Sequence, residues 1–330
     1  MNIPSRAFLA LALLGLVSGC PQGEVASIRA TPTTRNAQVS PRLGAGGAKV
    51  KLVSWNVRDF FDTTDDPYQD EVPSQPRQLE KVRQMSRVLS EIDADFVALE
   101  EVENLDCLQQ LNEALPRPYP QLGLIEGNDG IRGIDVAFLS RLPVSRVVSH
   151  REREMPRGKG VPRGYRFSRD CLEVGLATSP PATVFVNHLK AQVGNKKDSA
   201  NKRRAQAVAV AEIVQGVAER YPDGFEVVLG DLNDEPKSWS LEPLFSTLHD
   251  PFEGWPKKVR TTHRSRHGGS TLDHILISHD ASARAGEGRV WQDLGKGTSD
   301  HDPISLELRL DSPAMAPEPR EWSQGDASGR

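Results

Sequence analysis

The sequence predicts an α/β fold in which a mixed β-sheet, or a sandwich of sheets, has helices on its outside. Short apolar runs of strand length alternate with segments that carry apolar residues at helical spacing. Several runs follow one another with no helical pattern between them, which argues against a purely parallel sheet of the Rossmann type. The chain has 330 residues, of which 37% are hydrophobic and 26% charged. This composition is typical of a soluble globular protein.

Eight runs are predicted as strands and three segments as helices. The strands are residues 50–55, 95–99, 134–139, 172–177, 183–187, 225–229, 272–277 and 304–310. The last one alternates apolar and polar residues, so one of its faces is expected to be buried. Apolar residues recur at helical spacing from Leu79 to Ile92 and from Leu105 to Leu115, and Ser199 is the expected N-cap of a third helix.

One domain, residues 49–310, is predicted between two tails. Its length is within the size range of a single α/β domain. Residues 20–48 are rich in Pro, Ser, Thr, Gly and Ala and have no large apolar cluster, so we expect a flexible tether. Residues 311–330 have a similar composition, and we expect a disordered tail.

Residues 1–19 are predicted to be a signal peptide. Arg6 precedes an apolar run, Ala7 to Val17, that is too short to span a bilayer as an ordinary transmembrane helix. The run ends in small residues before Cys20, which resembles the lipidation site of bacterial lipoproteins. An ordinary secretory signal that ends in cysteine is the alternative. The lipoprotein interpretation predicts an exported chain that only an acyl anchor holds at the membrane, on the periplasmic face or the cell surface.

Charge and cysteine content exclude some classes of protein. The 41 Lys and Arg residues against 45 Asp and Glu give a formal net charge of -4, and loss of Arg6 with the signal peptide leaves 40 against 45. A histone-like or polybasic protein is therefore excluded. Three cysteines are too few for a disulfide scaffold or a four-thiolate zinc site. With Cys20 lipidated, Cys107 and Cys171 either form a disulfide or are two separate buried thiols.

Acids, amides and histidines concentrate where the predicted strands begin or end. The residues in these places are Asn56, Glu100, Glu101, His188, Asp231, Asn233, Asp273, Asp300 and His301. Each one alone has a common structural explanation, because Asn and Asp form turns and a glutamate after a strand often caps the next helix. Six such places in one chain indicate a catalytic site, because strands hold convergent groups rigidly at a sheet edge.

Seven segments that contain these residues resemble motifs of the endonuclease/exonuclease/phosphatase superfamily. In chain order they are SWN, ALEEVEN, RGIDVAFLSR, VNHLKAQ, VVLGDLNDEP, TLDHILIS and TSDHDPISLEL, within residues 53–308. GDLND followed by SDHDP is specific to this superfamily. Residues 56–62 read NVRDFFD where similar secreted bacterial nucleases read NVENLFD. The resemblance implies a DNase I-like, four-layer α/β/β/α sandwich of two packed mixed sheets.

The resemblance also implies a metal-dependent hydrolase of phosphodiesters. This reaction needs a cation that neutralises charge and a water in line with the leaving oxygen. Hard oxygen ligands suit Mg²⁺ or Mn²⁺. Glu101 matches the family's metal-binding glutamate, and Asn56 and Asp300 match positions that complete or flank the metal site. Glu100 is expected to point to the other side of its strand.

Catalytic roles follow from the same resemblance. Asp231 orients or deprotonates the water, and Asn233 holds that water or the phosphate. His301 contacts the scissile phosphate or acts as the base, and Asp273 fixes its tautomer through the other ring nitrogen. His188 matches a second histidine of the DNase I-like branch, which binds the phosphate or protonates the leaving group.

Three further residues are candidates for supporting roles. Arg132 and Lys190 are candidate phosphate contacts. Asp135 would orient His188 if the strands that carry the two residues are neighbours. For Arg132 and Asp135 a structural turn is the alternative.

Two basic stretches bear on the substrate. Residues 141–170 carry nine basic and three acidic residues with Tyr165 and Phe167 among them, and residues 257–267 carry five basic residues and no acid. Basic loops with aromatic residues suit a polyanionic backbone, whereas solvated surface charge and contact with anionic lipids are the alternatives.

The predicted function is a DNase I-like endonuclease that acts on DNA rather than RNA outside the cytoplasm, as a monomer. A phosphatase, or a phosphoesterase of the sphingomyelinase or inositol-phosphatase type, is the alternative.

Overall fold

The computed structural model describes residues 48–64, 72–266 and 268–310. The expectations for the signal peptide, Cys20, the tether before residue 48 and the tail lie outside the described residues. The strands are β1 (Ala48–Phe60), β2 (Phe96–Val102), β3 (Gln121–Leu124), β4 (Asp135–Ser140), β5 (Val144–Ser149), β6 (Cys171–Leu176), β7 (Ala182–His188), β8 (Phe225–Asp231), β9 (His263–Ser265), β10 (Gly268–Ser270), β11 (Asp273–Ile277), β12 (Ala285–Val290) and β13 (Ile304–Leu310). The helices are α1 (Gln75–Ile92), α2 (Leu105–Glu113), α3 (Lys196–Arg220), α4 (Glu242–Thr247) and α5 (Lys257–Arg260), and a 3-10 helix spans His279–Arg284. Within the described residues, no helix combines the length and the apolar character needed to cross a membrane.

Two mixed β-sheets form the centre of the domain. The first has the strand order β12-β13-β1-β2-β4-β3 and the second has the order β11-β8-β7-β6-β5, while β9 and β10 form a separate hairpin. Each sheet has one parallel pair, β1 with β2 and β7 with β8, and its other pairs are antiparallel. β6 and β7 follow one another with no helix between them, and they are one of the antiparallel pairs.

The apolar core fills the spaces between the layers. Inner-face side chains such as Leu52 and Phe138 of the first sheet pack with Val184 and Leu229 of the second. Helices α1 and α2 cover the outer face of the first sheet, and α3 and α4 cover the outer face of the second. The fold is therefore the four-layer α/β/β/α sandwich that the sequence predicts.

All eight predicted strands are present, and the sequence missed five short or edge strands. The missed strands are β3, β5, β9, β10 and β12. Most of their residues are at least partly exposed, so no apolar run marks them. Helix α3 begins one turn earlier than expected, and its N-cap is Asn195 rather than Ser199. The Asn195 side chain accepts hydrogen bonds from the N–H groups of Lys197 and Asp198.

Irregular backbone lies at the carboxyl ends of β1 and β2. The pairing of these strands shifts register after Asn56, and the pairing of β2 with β4 shifts around Glu101. Arg58, Asp59 and Glu101 have φ angles of 52°, 50° and 66°. A β-bulge turns a side chain away from the direction that strand alternation gives it. Backbone strain of this kind clusters at functional sites, so this end of the sheets is the place to look for one.

Gly230 on β8 lies against the backbone of Asn187 on β7. Its φ is 135°, and a Cβ atom at this position would lie 1.8 Å from the carbonyl oxygen of Asn187. We therefore expect Gly230→Ala to lower the free energy of unfolding by about 3 kcal/mol or more, because the two backbones have to separate. The control is Gly216→Ala in α3, where nothing lies within 4 Å of the new Cβ atom. We expect this variant to be as stable as the wild type or up to about 1 kcal/mol more stable in chemical denaturation. Equal losses in the two variants would contradict the close approach of β7 and β8.

Cys107 and Cys171 are two free, buried thiols. Cys107 on α2 packs in the cluster outside the first sheet, and Cys171 on β6 packs in the cluster outside the second. Of the two arrangements that the sequence leaves open, the structure thus has the separate thiols.

Candidate active site

The polar residues at the strand ends converge at one edge of the two sheets. β7 ends at His188, β8 ends at Asp231 and β11 begins at Asp273. Strand register pairs Asp231 with His188 on one side and with Asp273 on the other. Asn56 and Glu101 come from the carboxyl ends of β1 and β2 in the facing sheet. These five side chains are buried, so their polar atoms have to find partners in one another.

Asn56 connects the two sheets. Its Nδ2 donates hydrogen bonds to Asp231 Oδ2 at 3.0 Å and to Glu101 Oε1 at 3.2 Å. Its Oδ1 accepts a hydrogen bond from the backbone N–H of Arg58 at 2.9 Å, and its carbonyl accepts one from the Ser299 hydroxyl at 2.7 Å. Because all these groups are bonded, Asn56 fixes the positions of the two carboxylates relative to each other.

Two histidines face Asp231. The Nε2 atoms of His188 and His301 lie 3.6 Å and 3.9 Å from Asp231 Oδ2. Burial raises the pKa of Asp231 to about 7, Asp273 adds to this rise, and the charge of His301 opposes it. Burial and the charge of Arg169 lower the pKa of His188 well below its usual range. At neutral pH His188 is therefore uncharged, and Asp231 is poised to exchange a proton.

Asp273 holds the ring of His301. Its Oδ2 lies 2.8 Å from His301 Nδ1, and its side chain is fully buried. Although burial lowers the pKa of His301, the charges of Asp273 and Asp231 raise it to about 10. His301 is thus an imidazolium at neutral pH. Its Nδ1–H is donated to Asp273, and its Nε2 faces the space beside Asp231.

Glu100 and Glu101 point to different sides of β2. Glu101 reaches the cluster, whereas Glu100 is fully buried with a hydrogen bond of 3.0 Å from a serine hydroxyl. Burial raises the pKa of Glu101, but the charge of Arg132 and hydrogen bonds from the Asn56 amide and the Asp59 N–H outweigh burial and lower it. Burial and nearby carboxylates raise the pKa of Glu100 well above its usual range. Glu101 is therefore the ionised carboxylate of the two.

The donor atoms around Asp231 fit a divalent metal ion. Glu101 is ionised and held by Asn56 Nδ2, and carboxylate oxygens suit Mg²⁺ or Mn²⁺. Asp231 and Asp273 add carboxylate oxygens in the same cluster, whereas the His301 imidazolium has no lone pair for a metal. The chemistry of this edge therefore matches the ligands that a hard cation prefers.

Asp300 is not in contact with Asn56 or Glu101. The sequence places these three residues in one metal site, but Asp300 Oδ2 lies 3.2 Å from Arg58 Nη1 and 3.9 Å from His263 Nε2. Arg58 reaches Asp300 because the bulge after Asn56 gives it a left-handed backbone. The structure thus brings together two of the three expected ligands and pairs the third with a cation.

Arg132 lies at the mouth of the site. Its Nη2 is 3.3 Å from Glu101 Oε2, and the same guanidinium pairs with Asp59. The backbone N–H of Asp59 in turn donates to Glu101 Oε2 at 3.1 Å. Arg132 is partly exposed, so it is placed to meet an anion that enters from solvent.

Asn233 belongs to the site, and Lys190 lies at its margin. The backbone N–H of Asn233 donates to Asp231 Oδ1 at 2.9 Å, and its Nδ2 donates to the Leu189 carbonyl at 3.0 Å. This leaves the amide oxygen of Asn233 available for a water or a substrate donor. The backbone N–H of Lys190 donates to Gln206 Oε1, and the Lys190 side chain is half-buried without an ion pair to a described residue.

Asp135 does not orient His188. Strands β4 and β7 belong to different sheets, and Asp135 Oδ1 accepts a hydrogen bond from the backbone N–H of Gly127 at 2.7 Å. His188 Nδ1 is buried and has no hydrogen-bond partner in the part of the chain that the structure describes. Asp135 thus makes a structural contact with the backbone of Gly127 rather than a contact with His188.

Sequence reasoning missed three groups at the site. The ring of His263, on β9, has its centroid 4.7 Å from that of His301. The Ser299 hydroxyl accepts a hydrogen bond from the His301 N–H at 3.0 Å. Asp59 supports Glu101, as described above. Ser299 and Asp59 had one signal in the sequence, their position within a few residues of a motif residue, whereas His263 had none.

Most cations of the two basic stretches are in ion pairs. The pairs are Arg141–Asp93, Arg146–Glu173, Arg151–Glu152, Arg153–Glu212, Arg166–Glu152, Arg169–Asp129, Lys257–Glu235, Arg260–Asp250 and Arg264–Asp302. Five exposed cations make no ion pair with a described residue, and these are Arg157, Lys159, Arg163, Lys258 and Arg266. The positive surface available to a substrate is thus smaller than the sequence suggests.

The structure is thus a two-sheet α/β sandwich with a buried acid, amide and histidine cluster at its strand ends. A model of the endonuclease/exonuclease/phosphatase family matches residues 51–257, and the chain belongs to this family. Family membership supports hydrolysis of phosphoester bonds, and enzymes of the family generally depend on a divalent metal. A search of curated proteins found no match to the chain.

Solved structures share the fold at low sequence identity. Truncated TDP2 from Caenorhabditis elegans is 15% identical with a TM-score of 0.55, over 79% of this chain and 98% of that chain. An endonuclease/exonuclease/phosphatase from Beutenbergia cavernae is 18% identical with a TM-score of 0.56, over 81% and 73%. A family protein from Bacteroides thetaiotaomicron is 18% identical with a TM-score of 0.56, over 80% and 96%. At these identities the similarity shows the fold alone.

Proposed function

We propose that the protein is a metal-dependent phosphodiesterase, a DNase I-like endonuclease that cleaves DNA outside the cytoplasm. One observation carries the proposal. Asp231, with a pKa of about 7, lies between Asn56 and the Asp273–His301 pair, and the ionised Glu101 is held beside it. A poised base, a fixed cation and a metal-binding carboxylate are the parts that phosphodiester hydrolysis needs.

Asp231 acts as the base. Its Oδ1 is held by the N–H of Asn233 and its Oδ2 by the amide of Asn56, so the carboxylate has one orientation. Because its pKa is about 7, it accepts a proton from a water at neutral pH and releases it again. The amide oxygen of Asn233 is placed to orient that water.

His301 stabilises negative charge on the phosphate. It is protonated at neutral pH, and Asp273 holds its Nδ1–H, so its Nε2–H is available to a phosphate oxygen. A charged donor in a buried site stabilises the extra charge of the transition state. His188 is uncharged and serves as a second polar contact to the phosphate.

Glu101 would hold the metal ion, Mg²⁺ or Mn²⁺, and Asn56 Nδ2 would keep that carboxylate in position. Such an ion supplies charge neutralisation at the phosphate. Arg132 enters from the solvent side and binds the substrate phosphate that approaches Glu101. Asp300 supports the edge of the site through Arg58, and Lys190 lies further out.

DNA is the proposed substrate because five exposed cations of the two basic stretches have no acidic partner among the described residues. Such cations suit a long polyanion. The proposal includes export of a monomeric chain with a lipid at Cys20, on the sequence grounds given above.

Hydrolysis of bis(p-nitrophenyl) phosphate tests the phosphodiesterase activity directly. We expect release of p-nitrophenolate by the purified protein with Mg²⁺ or Mn²⁺ and none in excess EDTA, because the metal supplies the neutralising charge. Restoration of the rate by re-added metal is the control. Hydrolysis of p-nitrophenyl phosphate, a monoester, with no hydrolysis of the diester would contradict the proposal and favour a phosphatase.

A further inference from the structure

We propose that one positive surface, formed by residues 151–169 and the start of α3, binds the DNA backbone away from the scissile phosphate. Residues 151–169, here called the arm, lie between β5 and β6 in the chain, and α3 begins at Lys196, shortly after His188 of the catalytic cluster. The inference rests on the proposed function and deepens it, because the surface and the catalytic cluster would hold the same polynucleotide.

Hydrogen bonds and apolar contacts hold the arm in one conformation. The N–H of Met155 donates to the carbonyl of Tyr165 at 2.7 Å. Near the tip, the N–H of Val161 donates to the carbonyl of Gly158 at 3.1 Å. Met155 and Phe167 are buried in the apolar cluster outside the second sheet, and Val161 and Tyr165 pack against this cluster. Because the backbone of the arm is already ordered, its charged side chains bind a ligand at a low cost in conformational entropy.

The tip of the arm lies against the first two turns of α3. Gly160, at the tip, has a φ of 75°, and a Cβ atom there would lie 2.8 Å from Asn201 Nδ2 and 2.8 Å from Asp198 Oδ1. Lys202 Nζ lies 5.5 Å from the centroid of the Tyr165 ring. These contacts bring two segments that are distant in the sequence onto one face of the molecule.

This face has a large surplus of positive charge. Residues 154–165 and 190–202 together contain seven Lys and Arg residues against two acids, in a chain with a formal net charge of -4. None of these seven cations forms an ion pair with a residue that the structure describes, and they are Arg157, Lys159, Arg163, Lys190, Lys196, Lys197 and Lys202. Closer to the base of the arm, Arg153 and Arg166 are paired with glutamates. Unpaired cations that are grouped on one face favour a polyanion.

The positive surface is continuous with the catalytic cluster. The segment between β7 and α3 carries Lys190, and the side chain of Gln192 in this segment donates to the Asn233 carbonyl at 2.9 Å. Arg203 Nη1 donates to the Lys190 carbonyl at 2.7 Å and so ties the same segment to α3. A DNA strand with its scissile phosphate at Asp231 would therefore continue past Lys190 along α3 to the arm.

The extent of the surface fits a polynucleotide. Lys196 and Lys202 are about 9 Å apart along the axis of α3, which is nearly three base-pair steps of DNA. A phospholipid of the sphingomyelin type carries a single phosphodiester and cannot occupy the catalytic cluster and the arm together. An anionic bilayer presents many headgroups, but it presents them in one plane, whereas this surface leads into the catalytic cluster. We assign the surface to DNA for this reason.

The test compares two double variants that each remove two exposed cations without an ion pair to a described residue. Lys159→Gln with Arg163→Gln changes the arm, and Arg87→Gln with Arg220→Gln, the matched control, changes α1 and the far end of α3. A fluorescein-labelled DNA duplex of about 30 base pairs is titrated with each protein in EDTA, so that binding is measured without cleavage. In the arm variant we expect the Kd to rise about tenfold and the slope of log Kd against log salt to become shallower by about 2, as for two lost phosphate contacts. The control should bind as the wild type does.

Two further variants test the surface itself. Lys196→Gln with Lys197→Gln should raise the Kd by a similar factor of about ten, because α3 and the arm contact the same duplex. A wild-type Kd in this variant would overturn the single surface. Lys159→Arg with Arg163→Lys keeps both charges and should keep the wild-type affinity, and a tenfold loss in this variant would overturn the role of charge.

Rates with metal give a second readout. We expect the ratio of kcat/KM on the duplex to kcat/KM on bis(p-nitrophenyl) phosphate to fall about tenfold in the arm variant, mainly through KM. Equal Kd values for the arm variant and its control would overturn the surface and leave the proposed function intact. A wild type that binds the duplex through the arm but hydrolyses neither substrate would overturn the proposed function and leave the surface intact. Flotation with phosphatidylglycerol vesicles that requires the arm, together with an unchanged Kd for the duplex, would overturn the assignment to DNA.

Discussion

Asp231→Asn is expected to lower kcat for phosphodiester hydrolysis by at least about 10³-fold, because the amide cannot accept the proton of the water. The fold should remain. Asp231 is buried with a pKa of about 7, so a neutral amide replaces a group that is already half protonated at neutral pH. One of the hydrogen bonds from Asn56 or Asn233 is lost, at a cost of about 1 kcal/mol. Rates on bis(p-nitrophenyl) phosphate and chemical denaturation measure the two effects.

Glu226→Gln is the matched control. Glu226 lies near the other end of β8, is buried, and has a pKa that burial raises to about 7. The same acid-to-amide change on the same strand should leave kcat unchanged, because Glu226 is distant from the cluster. An Asp231→Asn protein that keeps more than about a tenth of the wild-type rate would contradict the role of Asp231 as the base.

Asp273→Asn is expected to move the alkaline limb of the pH–rate profile to lower pH by about 1 to 3 units. His301 acts in its protonated form, so the wild-type rate persists below a pKa of about 10 and is lost as the pH rises through it. Without the charge of Asp273, burial dominates and lowers that pKa. The rate at pH 9 should therefore fall about 2-fold for a shift of 1 unit and up to about 10²-fold for a shift of 3 units, while the loss at pH 6 should be smaller. The pH dependence of kcat/KM between pH 5 and pH 10.5 measures the shift.

Asp302→Asn is the control for this variant. Asp302 is the next residue after His301 and is buried, but its carboxylate contacts Arg264 and the Asp293 N–H rather than the ring. The alkaline limb of the Asp302→Asn pH–rate profile should stay at the wild-type position. If the alkaline limb has the same position in the wild type, Asp273→Asn and Asp302→Asn, His301 does not act as the protonated donor.

The acid limb of the pH–rate profile belongs to Asp231, and the positive charge of a bound metal is expected to move this limb below pH 7.

The central strands and the catalytic cluster could be predicted from the sequence. Their residues are buried on both faces or alternate strictly, so β2, β8 and β13 appear as apolar runs. Buried polar residues at the ends of such apolar runs depart from the apolar pattern, and this departure points to a functional site. Strand pairing then brings His188, Asp231 and Asp273 side by side, as their positions at the strand ends suggest.

The surroundings of the cluster could not be predicted, because they depend on backbone irregularities and contacts between distant segments. The bulge after Asn56 turns Arg58 to Asp300, and no spacing rule locates a bulge. Asp135 could be placed only once β4 and β7 were known to lie in different sheets. Several partners of the basic residues are distant in the sequence, and Glu212, the partner of Arg153, is 59 positions away.

Cleavage of supercoiled plasmid DNA by the purified protein tests the central claim most directly. With Mg²⁺ or Mn²⁺ the wild type and Glu226→Gln are expected to convert supercoiled plasmid to nicked and then linear forms. EDTA or the Asp231→Asn substitution is expected to leave it supercoiled. Plasmid that stays supercoiled with the wild type and metal, or nicking that continues in Asp231→Asn, would contradict a DNase I-like endonuclease built on this cluster.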